Sequence, residues 1–125
     1  MLDPARVLVV DDDDSIRRLI ADVLRDEGHE VDTARDGVDA LNHFAEPPRP
    51  ELVLLDLMMP HMDGATFVRE LERRGLQAGV SIVVISAAMG VAGRAADIGA
   101  EAVLGKPFDI DVLVTTVERV LRASG

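Results

Sequence analysis

Glu51-Leu-Val-Leu-Leu-Asp56-Leu-Met-Met-Pro60 is the stretch on which the fold turns. An unbroken apolar run leads into a single aspartate. A run so short and so continuously apolar suits a strand covered on both faces, the condition of a strand in a parallel sheet. Arg6-Val-Leu-Val-Val10, Val80-Ser-Ile-Val-Val-Ile85 and Ala102-Val-Leu104 share the texture. Glu30-Val-Asp-Thr-Ala34 alternates instead and reads as an outer strand.

Helical periods fill the gaps. Ile16, Leu19, Ile20, Val23 and Leu24 recur at three and four, with Asp14 or Ser15 expected as N-cap and Gly28 as the stop. Val38, Leu41 and Phe44 precede the Pro47-Pro48 breaker, and Phe67, Val68 and Leu71 precede Gly75. Ile110, Leu113, Val114, Val117, Val120 and Leu121 predict a C-terminal helix. A further helix is expected between Met89 and Ile98, weakened by Gly90 and Gly93, each worth roughly 1 kcal/mol against Ala. Strand and helix thus alternate five times. That order predicts an α/β fold, a doubly wound five-stranded parallel sheet with right-handed crossovers and helices on both faces. No linker, repeat or low-complexity tract interrupts it, so residues 1–125 read as one domain.

The 125 residues contain no cysteine, which excludes disulfides, thiolate metal sites and thiol nucleophiles. Apolar residues make up 48%, enough for a core, yet no run approaches the ~20 residues of a membrane span. The first residues are too short and acidic for a signal peptide, so a cytoplasmic protein away from membranes is expected. Acids outnumber bases 23 to 13, a formal charge of −10 that repels DNA phosphates and anionic lipid. Trp and Tyr are absent, so base-stacking platforms are missing too. Direct nucleic-acid binding by this chain is not expected. Lys106 is its only lysine.

Ligands of an open α/β sheet bind beyond the carboxyl ends of the strands. Asp11 to Asp14 follow the first apolar run, Asp56 follows the third, Ser86 the fourth and Lys106 the fifth. Parallel strands bring these groups to one edge. Several carboxylates crowded together call for a cation, and oxygen-only donors select Mg²⁺ or Mn²⁺. A hydroxyl and an ammonium beside them suit a phosphoryl group transferred to or from a carboxylate.

With those residues in place, the chain resembles the receiver domains of bacterial response regulators, the CheY-like family. Val9-Val-Asp-Asp-Asp13, Leu54-Leu-Asp56-Leu-Met-Met-Pro60 with Met62-Asp-Gly64, Ile85-Ser86-Ala87 and Lys106-Pro107-Phe108 carry the resemblance, in order and with the right spacing, over nearly the whole chain. It implies a flavodoxin-like sheet of order 2-1-3-4-5. It implies that Asp56 accepts a phosphoryl group from a histidine kinase, a phosphotransfer protein or a small donor. Asp11, Asp12, Asp56 and the Met58 backbone carbonyl would hold Mg²⁺ or Mn²⁺. Ser86 and Ala87, with Lys106, would meet the phosphoryl group, Pro60 and Gly64 would shape the loop after the acceptor, and the bond to Pro107 would be cis. The surface of the fourth helix, fifth strand and fifth helix would then change toward a downstream protein target. The protein would not be a turnover enzyme.

Two departures stand out. Val103 occupies the position where relatives carry a Tyr or Phe that swings inward, and the stretch from Ser86 to Gly99 is shorter than in common relatives. Ala102, Thr116 and Glu118 do not match the charged pairs of one familiar dimer, so a monomer or a weak phosphorylation-dependent dimer is expected. Met58 and Ala88 flank the attacking water's place without polar side chains, which predicts no unusually fast discharge.

Three rivals are weighed. A pseudo-receiver would bind partners without phosphorylation, but every site residue is present. A haloacid-dehalogenase-like phosphatase would use Asp11 with Asp13, Ser86 and Lys106, but leaves Leu57-Met-Met-Pro60 unexplained. A dinucleotide module would need a G-x-G-x-x-G that is absent. Asp13 and Asp14 read as acids of a helix N-terminus, and His29, His43 and His61 as surface or loop histidines.

Overall fold

The computed structural model describes residues 4–59, 62–87 and 95–124. Five strands, β1 (Arg6–Val10), β2 (Glu30–Ala34), β3 (Leu52–Asp56), β4 (Ser81–Ser86) and β5 (Ala102–Gly105), form one parallel sheet of order β2-β1-β3-β4-β5. Helices α1 (Asp14–Asp26), α2 (Gly37–Asn42), α3 (Gly64–Arg73) and the C-terminal helix (Ile110–Ser124) lie between and after them, and residues 95–97 are helical ahead of β5. No helix among the described residues is long and apolar enough to cross a membrane.

The pleat splits each apolar run between two cores. Leu8 and Val10 of β1, Val53 and Leu55 of β3 and Ile82 and Val84 of β4 pack with Leu41 of α2 and Phe67, Val68 and Leu71 of α3. Their neighbours Val7, Val9, Leu52, Leu54, Val83 and Ile85 pack with Ile20 and Leu24 of α1 and Leu113, Val117 and Val120 of the C-terminal helix. Both faces of the three inner strands are therefore dry, which is why those runs show no alternation. β2 is at an edge and keeps Glu30 and Asp32 exposed.

Some expectations are corrected. The N-cap of α1 is Asp13, whose Oδ1 accepts from Ser15 and Ile16 N–H at 2.9 and 3.1 Å, not Asp14 or Ser15. β4 starts at Ser81 rather than Val80. α2 ends at Asn42, although Phe44 beyond it is fully buried. Leu19 and Ile110 keep the helical spacing but are 46% exposed, because a stripe on α1 or on the C-terminal helix is wider than the sheet can cover. His29 is not a surface histidine: it is buried, and its Nδ1 accepts the Ala5 N–H at 3.1 Å. Pro60, His61, Ala88 and most of the helix expected between Met89 and Ile98 lie outside the described residues.

Candidate functional site

Asp11 is the residue after β1, and its N–H continues the ladder to Ala34 O at 3.2 Å. That register carries its side chain into the sheet edge with no solvent exposure. Its Oδ1 accepts from Asp13 N–H at 2.9 Å. Asp56 ends β3, 5% exposed, and its Oδ1 accepts the Met58 N–H at 2.9 Å. Ser86 ends β4, buried, opposite Gly105 of β5, and its carbonyl accepts the Lys106 N–H at 3.1 Å. That bond delivers Lys106 to the carboxylates: Nζ lies 2.7 Å from Asp11 Oδ2 and 3.2 Å from Asp56 Oδ2. The bond between Lys106 and Pro107 is cis, as expected.

Gly64 opens α3 against this edge. Its N–H reaches Leu57 O at 3.2 Å, and a Cβ there would lie 2.8 Å from Leu57 Cδ2 and 3.0 Å from Asp56 O. Only glycine lets the helix approach so closely.

Asp11, Asp12 and Asp56 each offer a carboxylate oxygen, all within 4.8 Å of one another. Asp12 is the exposed member. Asp11 Oδ2 is buried and has no aligned hydrogen-bond donor; the Lys106 contact is an ion pair. A hard divalent cation fits this set, because the donors are all oxygen and one of them is buried without a donor aligned to it. Burial pushes the Asp56 carboxyl above the ordinary aspartate range, and the Asp11 charge adds to the rise, while the Met58 amide and Lys106 oppose it. Burial pulls Lys106 down, but the close Asp11 carboxylate and the charges of both acids outweigh it and hold its ammonium more firmly than usual.

Ala87 follows β4 and is exposed. Val103 is 40% exposed on β5, and Thr116 is buried. The Met58 side chain is half exposed, whereas Met59 packs on the core of α2 and α3. Asp13 spends its carboxylate on the α1 cap, which removes the second acid a dehalogenase-like phosphatase would need. Arg17 is a residue the sequence reading passed over. Its Nη1 donates to Asp11 O at 2.8 Å and its Nη2 pairs with Asp14, whose carboxyl that contact holds below the usual range. The signal available was an arginine one turn into the helix that follows the acidic run.

Residues 7–118 match the response regulator receiver domain family. The chain is 40% identical over 121 residues to response regulator MprA of Mycobacterium sp. (strain KMS), covering 95% of this chain and 51% of that one. It is 41% identical over 130 residues to SphR, an alkaline phosphatase synthesis transcriptional regulatory protein of Synechococcus elongatus, with 96% and 50% covered. It thus spans about half the length of these curated relatives. Among solved structures, the chemotaxis response regulator CheY4 of Vibrio cholerae superposes with TM-score 0.84 at 33% identity, covering 94% of this chain and 99% of that one. A CheY-like receiver from Methanospirillum hungatei shares the fold at TM-score 0.87 and 24% identity, with 98% and 97% covered. The chain belongs to the response regulator receiver family, the phosphoacceptor domains of two-component signalling, which bind Mg²⁺ at an acidic pocket.

Proposed function

We propose that Asp56 is the phosphoryl acceptor and that residues 1–125 act as one receiver domain. The observation that carries this reading is the buried Asp56 at the end of β3, with Asp11 and Asp12 within 4.8 Å and Lys106 at 3.2 Å. Asp11, Asp12, Asp56 and the Met58 carbonyl would hold the cation. When bound, Mg²⁺ neutralises charge on the transferring phosphoryl oxygens.

The chain's own groups do the rest. An ionised Asp56 oxygen attacks the phosphorus of a phosphohistidine on a kinase or phosphotransfer protein. The new P–O bond forms as the P–N bond breaks, and the imidazole nitrogen keeps the bonding pair. Lys106 supplies a fixed positive charge to the phosphoryl group, and the Ser86 hydroxyl, with Ala87 beside it, supplies a hydrogen bond. Water later hydrolyses the acyl phosphate, so no external substrate turns over. The acyl phosphate draws Ser86 and reshapes the surface of the fourth helix, β5 and the C-terminal helix, with Val103 in place of the ring that relatives rotate.

The partners under this reading are a sensor kinase or phosphotransfer protein and a downstream protein, met in the cytoplasm by a monomer or a weak phosphorylation-dependent dimer. A charge of −10 keeps this segment itself off nucleic acid and anionic membranes. The test is incubation with acetyl phosphate and Mg²⁺, read by intact mass, beside Asp56→Asn and a chelated control. A single phosphoryl adduct that needs both Asp56 and the cation supports the reading. An adduct retained by Asp56→Asn overturns it.

A further inference from the structure

A second charged site lies on the other side of α1. Asp14, Arg17, Arg18, Ala21 and Arg25 of α1, with Thr33 of β2, line a cavity of about 270 Å³. Two of its guanidinium groups are fixed by backbone. Arg17 Nη1 donates to Asp11 O at 2.8 Å, and Arg25 Nη2 donates to Val31 O at 2.9 Å. Arg18 is exposed and has no side-chain ion pair among the described residues.

Three guanidinium groups therefore line the cavity with one carboxylate, Asp14, while Asp22 stands 3.8 Å from Arg25. This local excess of positive charge sits on a chain of formal charge −10. Arginines whose forks are held by carbonyls lose little freedom when they take an anion. Each has N–H donors beyond those already used, and Thr33 adds a hydroxyl. We propose that this cavity between α1 and β2 binds a phosphate group, as the free ion or as a phosphate monoester. The site is separate from the phosphoacceptor edge and uses none of Asp12, Asp56, Ser86 or Lys106. Arg17 joins the two, because the same guanidinium touches the cavity and the Asp11 carbonyl.

The test is an amide NMR titration in chelator, with inorganic phosphate in one arm and glycerol 2-phosphate in another, against chloride at matched ionic strength. Saturable shifts centred on Ala21 and Thr33, with Ser86 and Lys106 unmoved, support the site. Arg18→Gln and Arg25→Gln, both exposed and on the cavity lining, should each weaken it about fivefold. Tighter binding of the monoester assigns the source to an organic phosphate, and equal binding assigns it to the free ion. Shifts that chloride reproduces, that centre on Ser86 and Lys106, or that both variants leave unchanged overturn the proposal.

Discussion

Lys106 Nζ lies 2.7 Å from Asp11 Oδ2, and that carboxylate has no solvent exposure at all. The same ammonium is 3.2 Å from Asp56 Oδ2, so one lysine offsets two buried acids. Lys106→Met removes that charge and keeps the length of the stem. Stability in chelator should fall by about 3 kcal/mol, the low end for broken, largely buried pairs. Mg²⁺ should then restore a larger share than it adds to the unaltered protein. Circular dichroism melts with and without the cation check this, and an unchanged melt in chelator would count against the pairing.

Asp56→Asn should act in the opposite sense. Burial raises the Asp56 carboxyl in the folded state, so its ionised form is the unfavourable one there. A group with a raised folded pKa contributes fully when protonated, and that contribution is lost as pH rises through the folded value. Near neutral pH without metal, Asp56→Asn should therefore melt higher than the unaltered protein. The gap should close as pH falls below the ordinary aspartate range. Melting curves across pH in chelator test the sign; a variant that melts lower at neutral pH contradicts it.

Gly64→Ala places a Cβ 2.8 Å from Leu57 Cδ2 and 3.0 Å from Asp56 O. The start of α3 must retreat from the end of β3, at a cost of about 1–3 kcal/mol. The displacement moves the Asp56 backbone, so phosphoryl uptake from acetyl phosphate should slow along with the loss of stability. Uptake at the normal rate in a destabilised variant would separate the helix start from the site.

His29→Ala tests the far edge of the sheet. The Ala5 N–H loses its acceptor and stays buried, worth about 1–2 kcal/mol. Ala5 precedes β1 and His29 precedes β2, so both lie at the amino ends of the strands, opposite Asp56. Urea denaturation should show the loss while the phosphoryl adduct forms as before. A lost adduct at a temperature where the variant is folded would contradict that separation.

The run of four aspartates shows where local reading stops. Asp11 to Asp14 are chemically alike, yet Asp11 is buried in the site, Asp12 is its exposed member, Asp13 caps α1 and Asp14 pairs with Arg17. Composition cannot divide them. The division depends on where the last ladder bond of β1 falls and on which amide N–H groups the first turn of α1 leaves open.

Much else was legible in the chain alone. Continuous apolarity is a local property, and it marked β1, β3 and β4 because each is dry on both faces. Asp56 and Lys106 stood out because each ends an apolar run, and parallel strands end together. Three features came only with the tertiary structure: His29 turned inward to the Ala5 amide, Leu19 and Ile110 left on the surface, and Arg17 reaching the Asp11 carbonyl. The first depends on segments remote in sequence, the second on how far a helix overhangs the sheet, and the third on how the first turn of α1 is set against the end of β1. A periodicity says that a helix has an apolar face, while the packing of the neighbouring element decides how much of that face is covered.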